Sequence, residues 1–275
     1  MIKKLKDLYS ELYNTLSNNP AIIPIFRFNG DKSNNPYAHF VAIKGDHFDA
    51  NEKKLMLIGR AVNGWDSLES SSSEAFSTEA DNQFFNKGPF NEDRWNWIDV
   101  DEETGVLYSG HDKDKSNRKN RYCLDQSAFW TYTREIWNKL PGSSFNTGAV
   151  WMKNIAWSNL YKVSPKDRGN PAGLIQNNQL KICREILTLE ISSFKPTHIL
   201  LMTGYDWFEP FKSCFSDCQY RGTNHPRGKK ANQIYVEGTA RFERIPVVIT
   251  CRPERRRKEQ FVDDVIKAFN TLTEL

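Results

Sequence analysis

Four short apolar runs, each broken off by polar residues, constrain this chain more than any other feature of its sequence. They are Leu55-Met56-Leu57-Ile58, Asn154-Ile155-Ala156-Trp157-Ser158, Thr197-His198-Ile199-Leu200-Leu201-Met202 and Val247-Val248-Ile249-Thr250. Runs of this length, rich in aliphatic and β-branched side chains and bounded by Gly, Pro or Asn, read as buried strands. Helical spacing of apolar residues predicts helices over 1–19, 127–140, 175–193 and 258–273. Strands that alternate with helices fold as a parallel sheet with helices on both sides. The expectation is a single α/β domain over 1–275: a three-layer sandwich with a central four-stranded parallel sheet flanked by helices. Its core runs over 53–272, with strands at 53–58, 154–158, 197–202 and 246–250. Ligands of such sheets bind beyond the carboxyl ends of the strands. The polar segments that follow the four runs are therefore where a site is expected.

Those segments differ in character. The first, Gly59-Arg60-Ala61-Val62-Asn63-Gly64-Trp65, offers a glycine turn, an amide and an indole. The last, Cys251-Arg252-Pro253-Glu254-Arg255-Arg256-Arg257-Lys258, places five cations within seven residues. Residues 66–125 show little periodicity and are too long for a passive connection. They read as an insertion covering the site, anchored by Phe84, Phe85, Phe90, Trp95 and Trp97.

Bulk properties narrow the classes. A net charge of +4 excludes a blanket polycation but permits a local basic face. No apolar stretch approaches the ~18–20 residues needed to cross a bilayer, and the N-terminus lacks a signal-peptide pattern. Cysteines at 123, 183, 214, 218 and 251 are odd in number and scattered, which suggests reduced thiols in a cytoplasmic protein. Cys214 and Cys218 lack the second pair or the His that would complete a zinc set. No P-loop is present. A monomer with no metal, no cofactor and no membrane partner is expected, with DNA or a nucleotide as its ligand.

At the four strand ends the chain resembles the uracil-DNA glycosylase superfamily. That family has a small four-stranded parallel sheet between helices. Its first strand ends in G-Q-D-P-Y or relatives such as G-E-A-P-G, which Gly59-Arg60-Ala61-Val62-Asn63-Gly64 matches in place. Its second strand ends in a base-reading Asn, where Ser158-Asn159-Leu160 falls, and its third ends near a Gly, as in Met202-Thr203-Gly204. Its fourth ends in H-P-S, a loop that enters the DNA minor groove, and a C-terminal helix; Cys251-Arg252-Pro253-Glu254-Arg255 precedes such a helix here. Ala61 stands where many relatives carry a catalytic Asp, and Arg252 stands where they carry His. The resemblance implies a divergent glycosylase that excises a damaged or deaminated base from DNA by hydrolysing the N-glycosidic bond. The alternative it leaves open is a non-catalytic or repurposed nucleic-acid or nucleotide-binding protein of the same fold.

The chemistry asks for a pocket that reads a flipped base, a stabilised leaving group and a placed water. Asn159 can read a base edge, because an amide both donates and accepts; it can equally bind loop backbone. Arg252 is a permanent cation that could stabilise a base anion, contact phosphate or form a surface ion pair. Asn63 could hold a water or cap a helix, and Asp66 is the nearest carboxylate for a general base or a second cap. Gly59 and Ala61 would floor the base pocket and Trp65 would stack on the base. Arg255, Arg256, Arg257 and Lys258 are expected to contact phosphates, with a solvated charged turn as the alternative.

Overall fold

The computed structural model describes residues 2–21, 37–61, 98–100, 107–109, 123–141, 151–165, 169–221 and 235–274. Within them the protein is α/β. Five helices run in chain order: α1 (Ile2–Ser17), α2 (Ala128–Lys139), α3 (Gly173–Phe194), α4 (Tyr205–Phe208) and α5 (Lys258–Thr273). Strands of the main sheet are β2 (Ile43–Lys44), β3 (Leu55–Gly59), β6 (Ala156–Asn159), β8 (His198–Leu201), β9 (Ser216–Tyr220), β10 (Val236–Phe242) and β11 (Ile245–Thr250). Two small antiparallel pairs stand apart: β1 (Tyr37–His39) with β7 (Val163–Pro165), and β4 (Ile98–Val100) with β5 (Leu107–Ser109).

The main sheet has seven strands in the order β2-β6-β3-β8-β11-β10-β9. The four apolar runs occupy four adjacent places in it. The expectation of a four-stranded sheet is corrected: the sheet is larger and mixed. β11 pairs parallel with β8, Val247 opposite Ile199 and Ile249 opposite Leu201. β10 then joins β11 antiparallel, and β9 joins β10 antiparallel as the last strand. A two-residue turn, Glu243-Arg244, connects β10 to β11, with Glu243 in the left-handed region at φ 54°. The sequence also suggests a strand over 233–236; residues 233 and 234 lie outside the described residues, and β10 begins at Val236 and runs on to Phe242. Another boundary moves as well. Asn154 does not begin a strand but closes a tight 3₁₀ turn, its Nδ2 donating to the Trp151 carbonyl at 3.0 Å, and β6 starts at Ala156.

Residue contacts divide the chain into two compact units. One comprises 1–44, 58–91 and 157–195, the other 45–57, 92–156 and 196–275. In the first unit α1 packs on α3. Leu5, Leu8, Tyr9, Leu12 and Leu16 fall at helical spacing and are all buried. An Asx turn, Ala21 N–H to Asn19 Oδ1 at 3.0 Å, follows the end of α1. α3 buries Ile182, Cys183, Ile186, Leu187, Ile191 and Phe194. It stops at Lys195, which adopts φ 52° and ψ 55° before Pro196, because a residue preceding proline resists the helical region.

In the second unit α2 and α5 pack on each other, and α5 covers β11 and β10. Tyr132 meets Phe261 edge-on with ring centroids 5.3 Å apart, while Lys139 pairs with Asp263 at 2.8 Å. Both are contacts between the two helices. β11 is buried at every residue but Ile245, whereas β9 alternates little and is mostly exposed. His198, at the start of β8, is a core residue, its ring edge-on to Phe269 at 5.0 Å. Among the described residues no helix is long and apolar enough to cross a membrane.

Candidate functional site

In the first unit the chain beyond β6 runs beside the end of β3. Leu160 N–H donates to the Gly59 carbonyl at 2.9 Å, and Tyr161 N–H to the Arg60 carbonyl at 2.9 Å. These two bonds set the Gly59-Arg60 end of β3 beside the two residues that follow Asn159. Gly59 is buried, and Arg60 and Ala61 are half-buried. Asn159 is 2% exposed, and its side-chain Nδ2 has no hydrogen-bond partner among the described residues. An amide N–H₂ buried without an acceptor is costly, about 1–3 kcal/mol, and in folded proteins such groups are few. Asn63, Trp65 and Asp66 lie outside the described residues, as does most of the 66–125 insertion.

The backbone of Asn159 is held from below by a buried charged network. Lys162 and Glu190 side chains are each 0% exposed and pair at 2.8 Å. The Lys162 ammonium has three protons and three acceptors: Ser158 Oγ at 2.7 Å, the Asn159 carbonyl at 2.8 Å and Glu190 Oε2 at 2.8 Å. Ser158 Oγ in turn donates to Glu190 Oε2 at 2.6 Å, and the Tyr9 hydroxyl donates to Glu190 Oε1 at 3.1 Å. Every polar end of the pair is therefore engaged, the condition under which a buried ion pair is tolerated.

Gln179 completes the clamp. Its Oε1 accepts from Lys162 N–H at 3.1 Å and Val163 N–H at 3.0 Å, and its Nε2 donates to the Val163 carbonyl at 2.9 Å. Cys183 Sγ donates to the same Oε1 at 3.3 Å, and burial pushes this thiol up to about 12. It stays a neutral donor at physiological pH and is unsuited to nucleophilic chemistry.

Sequence reading did not single out Lys162, Glu190, Ser158, Tyr9 or Gln179. One signal was present. Glu190 sits on the apolar stripe of α3, in step with Cys183, Ile186, Leu187 and Ile191. A carboxylate on such a stripe must find a buried partner.

In the second unit the loop after β11 carries the other predicted residues. Arg252 is exposed and grips Glu254: Nε to Oε2 at 3.1 Å, with a second, shorter contact from Nη2 to Oε1. Its surface ion pair was one of the three roles its sequence allowed. Arg255 is exposed and left-handed at φ 62°, and Arg256 N–H closes a turn onto the Pro253 carbonyl at 3.1 Å. The Arg256 carbonyl accepts from the Tyr132 hydroxyl at 2.7 Å, and Arg257 N–H donates to the Tyr235 hydroxyl at 3.3 Å. The loop backbone is thus pinned by two tyrosines.

The four cations part company at the side chains. Arg256 is half-buried and interacts with Cys251, whose thiol burial raises to about 12 against the opposing pull of that guanidinium. Lys258 reaches Glu135 on α2 at 3.4 Å. Arg255 and Arg257 are exposed and have no ion-pair partner among the described residues. Arg227, Lys229 and Lys230, which the sequence offers as an extension of the same basic face, lie outside the described residues.

Among the described residues, no three His, Cys, Asp or Glu side chains cluster to hold a metal ion. A scan against protein-family models finds no match, and a search of curated proteins likewise returns none.

Proposed function

We propose that the chain is a divergent uracil-DNA glycosylase-like protein that takes up a base displaced from DNA and hydrolyses its N-glycosidic bond. The observation that carries this reading is Asn159: a buried side-chain amide, unpartnered among the described residues, at the end of a sheet strand beside the Gly59 turn. An orphan donor in that place is matched by an exocyclic carbonyl of a base, which accepts one hydrogen bond more strongly as negative charge builds on the departing ring. Parallel running of β3, β6, β8 and β11 belongs to the same proposal, and β8 with β11 supports it. Water adds to C1′ of the sugar, the base departs with the bonding electrons, and the proton released from water is taken by a carboxylate, for which Asp66 is the candidate. Arg255 and Arg257 supply the phosphate contacts.

A second reading, binding without excision, is favoured by one pair of observations. Ala61 offers no carboxylate at the first strand end, and the Arg252 guanidinium is already engaged by Glu254. Incubation with duplex and single-stranded oligonucleotides bearing uracil, mismatched thymine or deaminated purines, followed by cleavage at abasic sites, separates the two. Product that disappears in Asn159→Ala supports excision. No product on any substrate, with salt-sensitive DNA binding retained, leaves the binding reading. Loss of both overturns the proposal.

A further inference from the structure

We infer that Lys162 and Glu190 are positioning residues for Asn159: they fix the carbonyl of Asn159 so that its side-chain amide is presented in one orientation. The inference rests on the reading that this amide meets a base. Three observations carry it. The Lys162 ammonium bonds the Asn159 carbonyl directly at 2.8 Å. That ammonium is itself immobilised by two further acceptors, Ser158 Oγ and Glu190 Oε2. The residues that follow are fixed as well, by Leu160 N–H on the Gly59 carbonyl and by Gln179 on Lys162 N–H and Val163 N–H.

With the backbone held over 158 to 162, what remains to Asn159 is rotation about its two side-chain bonds. A fully desolvated ion pair is a poor source of stability compared with apolar packing of the same volume. What it supplies instead is direction: a lysine amine offers three donors at tetrahedral angles, and here each is assigned. A methionine in its place would fill the same space and leave the Asn159 carbonyl without its anchor. For a recognition amide, displacement by a fraction of an ångström is enough to weaken a hydrogen bond that counts only at the right angle.

Lys162→Met alone would strand the Glu190 charge and threaten folding. The informative variant is therefore Lys162→Met/Glu190→Gln, which removes both charges and keeps a polar partner for each hydroxyl, the amide oxygen accepting from one of Ser158 and Tyr9 and the amide N–H₂ donating to the other. Two readouts are taken on the full chain. The first is the Asn159 side-chain amide pair in a nitrogen–proton NMR spectrum, identified by its absence in Asn159→Asp. The second is binding of the free bases uracil, thymine and hypoxanthine.

In the native protein the amide pair is expected as two sharp, well-separated resonances. In a folded double variant the two resonances are expected to shift toward the positions of a freely moving, solvated asparagine, with affinity for the bound base reduced roughly tenfold or more. Lys162→Arg/Glu190→Asp, which restores the charges, is expected to recover part of both. An unchanged amide pair in the folded double variant overturns the positioning role, whatever the bases do. If instead the amide pair responds but no base binds the native protein, or Asn159→Ala binds as the native protein does, the base-reading proposal fails and the positioning geometry stands.

Discussion

The end of β6 and the loop after β11 both follow buried strands, and both concentrate charge. At β6 the charge is enclosed: Lys162 and Glu190 have no exposed side-chain surface, and each polar atom has a fixed partner. After β11 the charge is displayed. Arg252, Arg255, Arg257 and Lys258 are exposed, and the pairs they form, with Glu254 and Glu135, are within reach of water and salt. The contrast separates two uses of one kind of side chain. Enclosed charge fixes backbone geometry at a large desolvation cost and responds little to ionic strength. Displayed charge costs little, holds little in place and is available to an outside anion.

The largest effect that could break this contrast is a single cut in the enclosed pair. Glu190→Ala leaves the Lys162 ammonium buried and unpaired, and should lower unfolding free energy by about 3–5 kcal/mol in urea denaturation. A loss below about 1 kcal/mol would mean that water reaches the pair and that the enclosure is not real.

The next effect concerns a buried group with no ionic partner. Burial, with help from Lys53, lowers His198 from 6.5 to about 4. The folded state holds this ring neutral, whereas the unfolded chain takes up a proton below pH 6.5. Its contribution is therefore complete above pH 6.5 and is lost as pH falls toward 4. At about 1.4 kcal/mol per pH unit it amounts to roughly 3 kcal/mol. Urea midpoints measured at pH 7 and pH 4.5 should diverge in the native protein, and by less in His198→Leu.

The displayed charges make a different prediction. Arg255→Ala/Arg257→Ala should leave stability within about 0.5 kcal/mol of the native value. It should also flatten the dependence of DNA affinity on salt by about two ions if each arginine meets one phosphate. Fluorescence anisotropy across a salt series reads this directly, and an unchanged slope removes the loop from the DNA interface. The smallest effect is the Arg252–Glu254 coupling. A double-mutant cycle should return below about 1 kcal/mol, and addition of salt should shrink it further.

How much was legible in the sequence follows from the range of the forces involved. Three of the four strands were visible because Leu55–Ile58, Ile199–Leu201 and Val247–Ile249 need no partner identity to declare themselves; burial alone explains them. Helices α2, α3 and α5 came out within two residues of their predicted ends for the same reason. β10 was hidden. It carries Glu237, Thr239 and Arg241, and reads as polar. Glu237 is nevertheless buried, accepting the Tyr205 N–H at 2.6 Å. Its turn to β11 also lacks the Asn-Gly pattern that marks a hairpin.

The site divides in the same way. That Gly59 and Asn159 end two strands could be read from spacing. The Lys162–Glu190 pair could not, because it joins a strand end to a helix 28 residues on, and only the assembled structure chooses that partner.

One bond in the network also sets a clock. Tyr9 and Glu190 are 181 residues apart in the chain, yet the hydroxyl of one caps the carboxylate of the other. The unit that contains them draws on segments from the first residue to residue 195, with other segments threaded between. During synthesis α1 emerges early and must wait, its apolar stripe uncovered, until α3 has left the ribosome. Contacts of such long range are slow to form and leave apolar surface open in the meantime. Pausing translation between residues 45 and 190 should therefore expose this protein to chaperones or aggregation far more than a pause late enough for α3 to have cleared the ribosome.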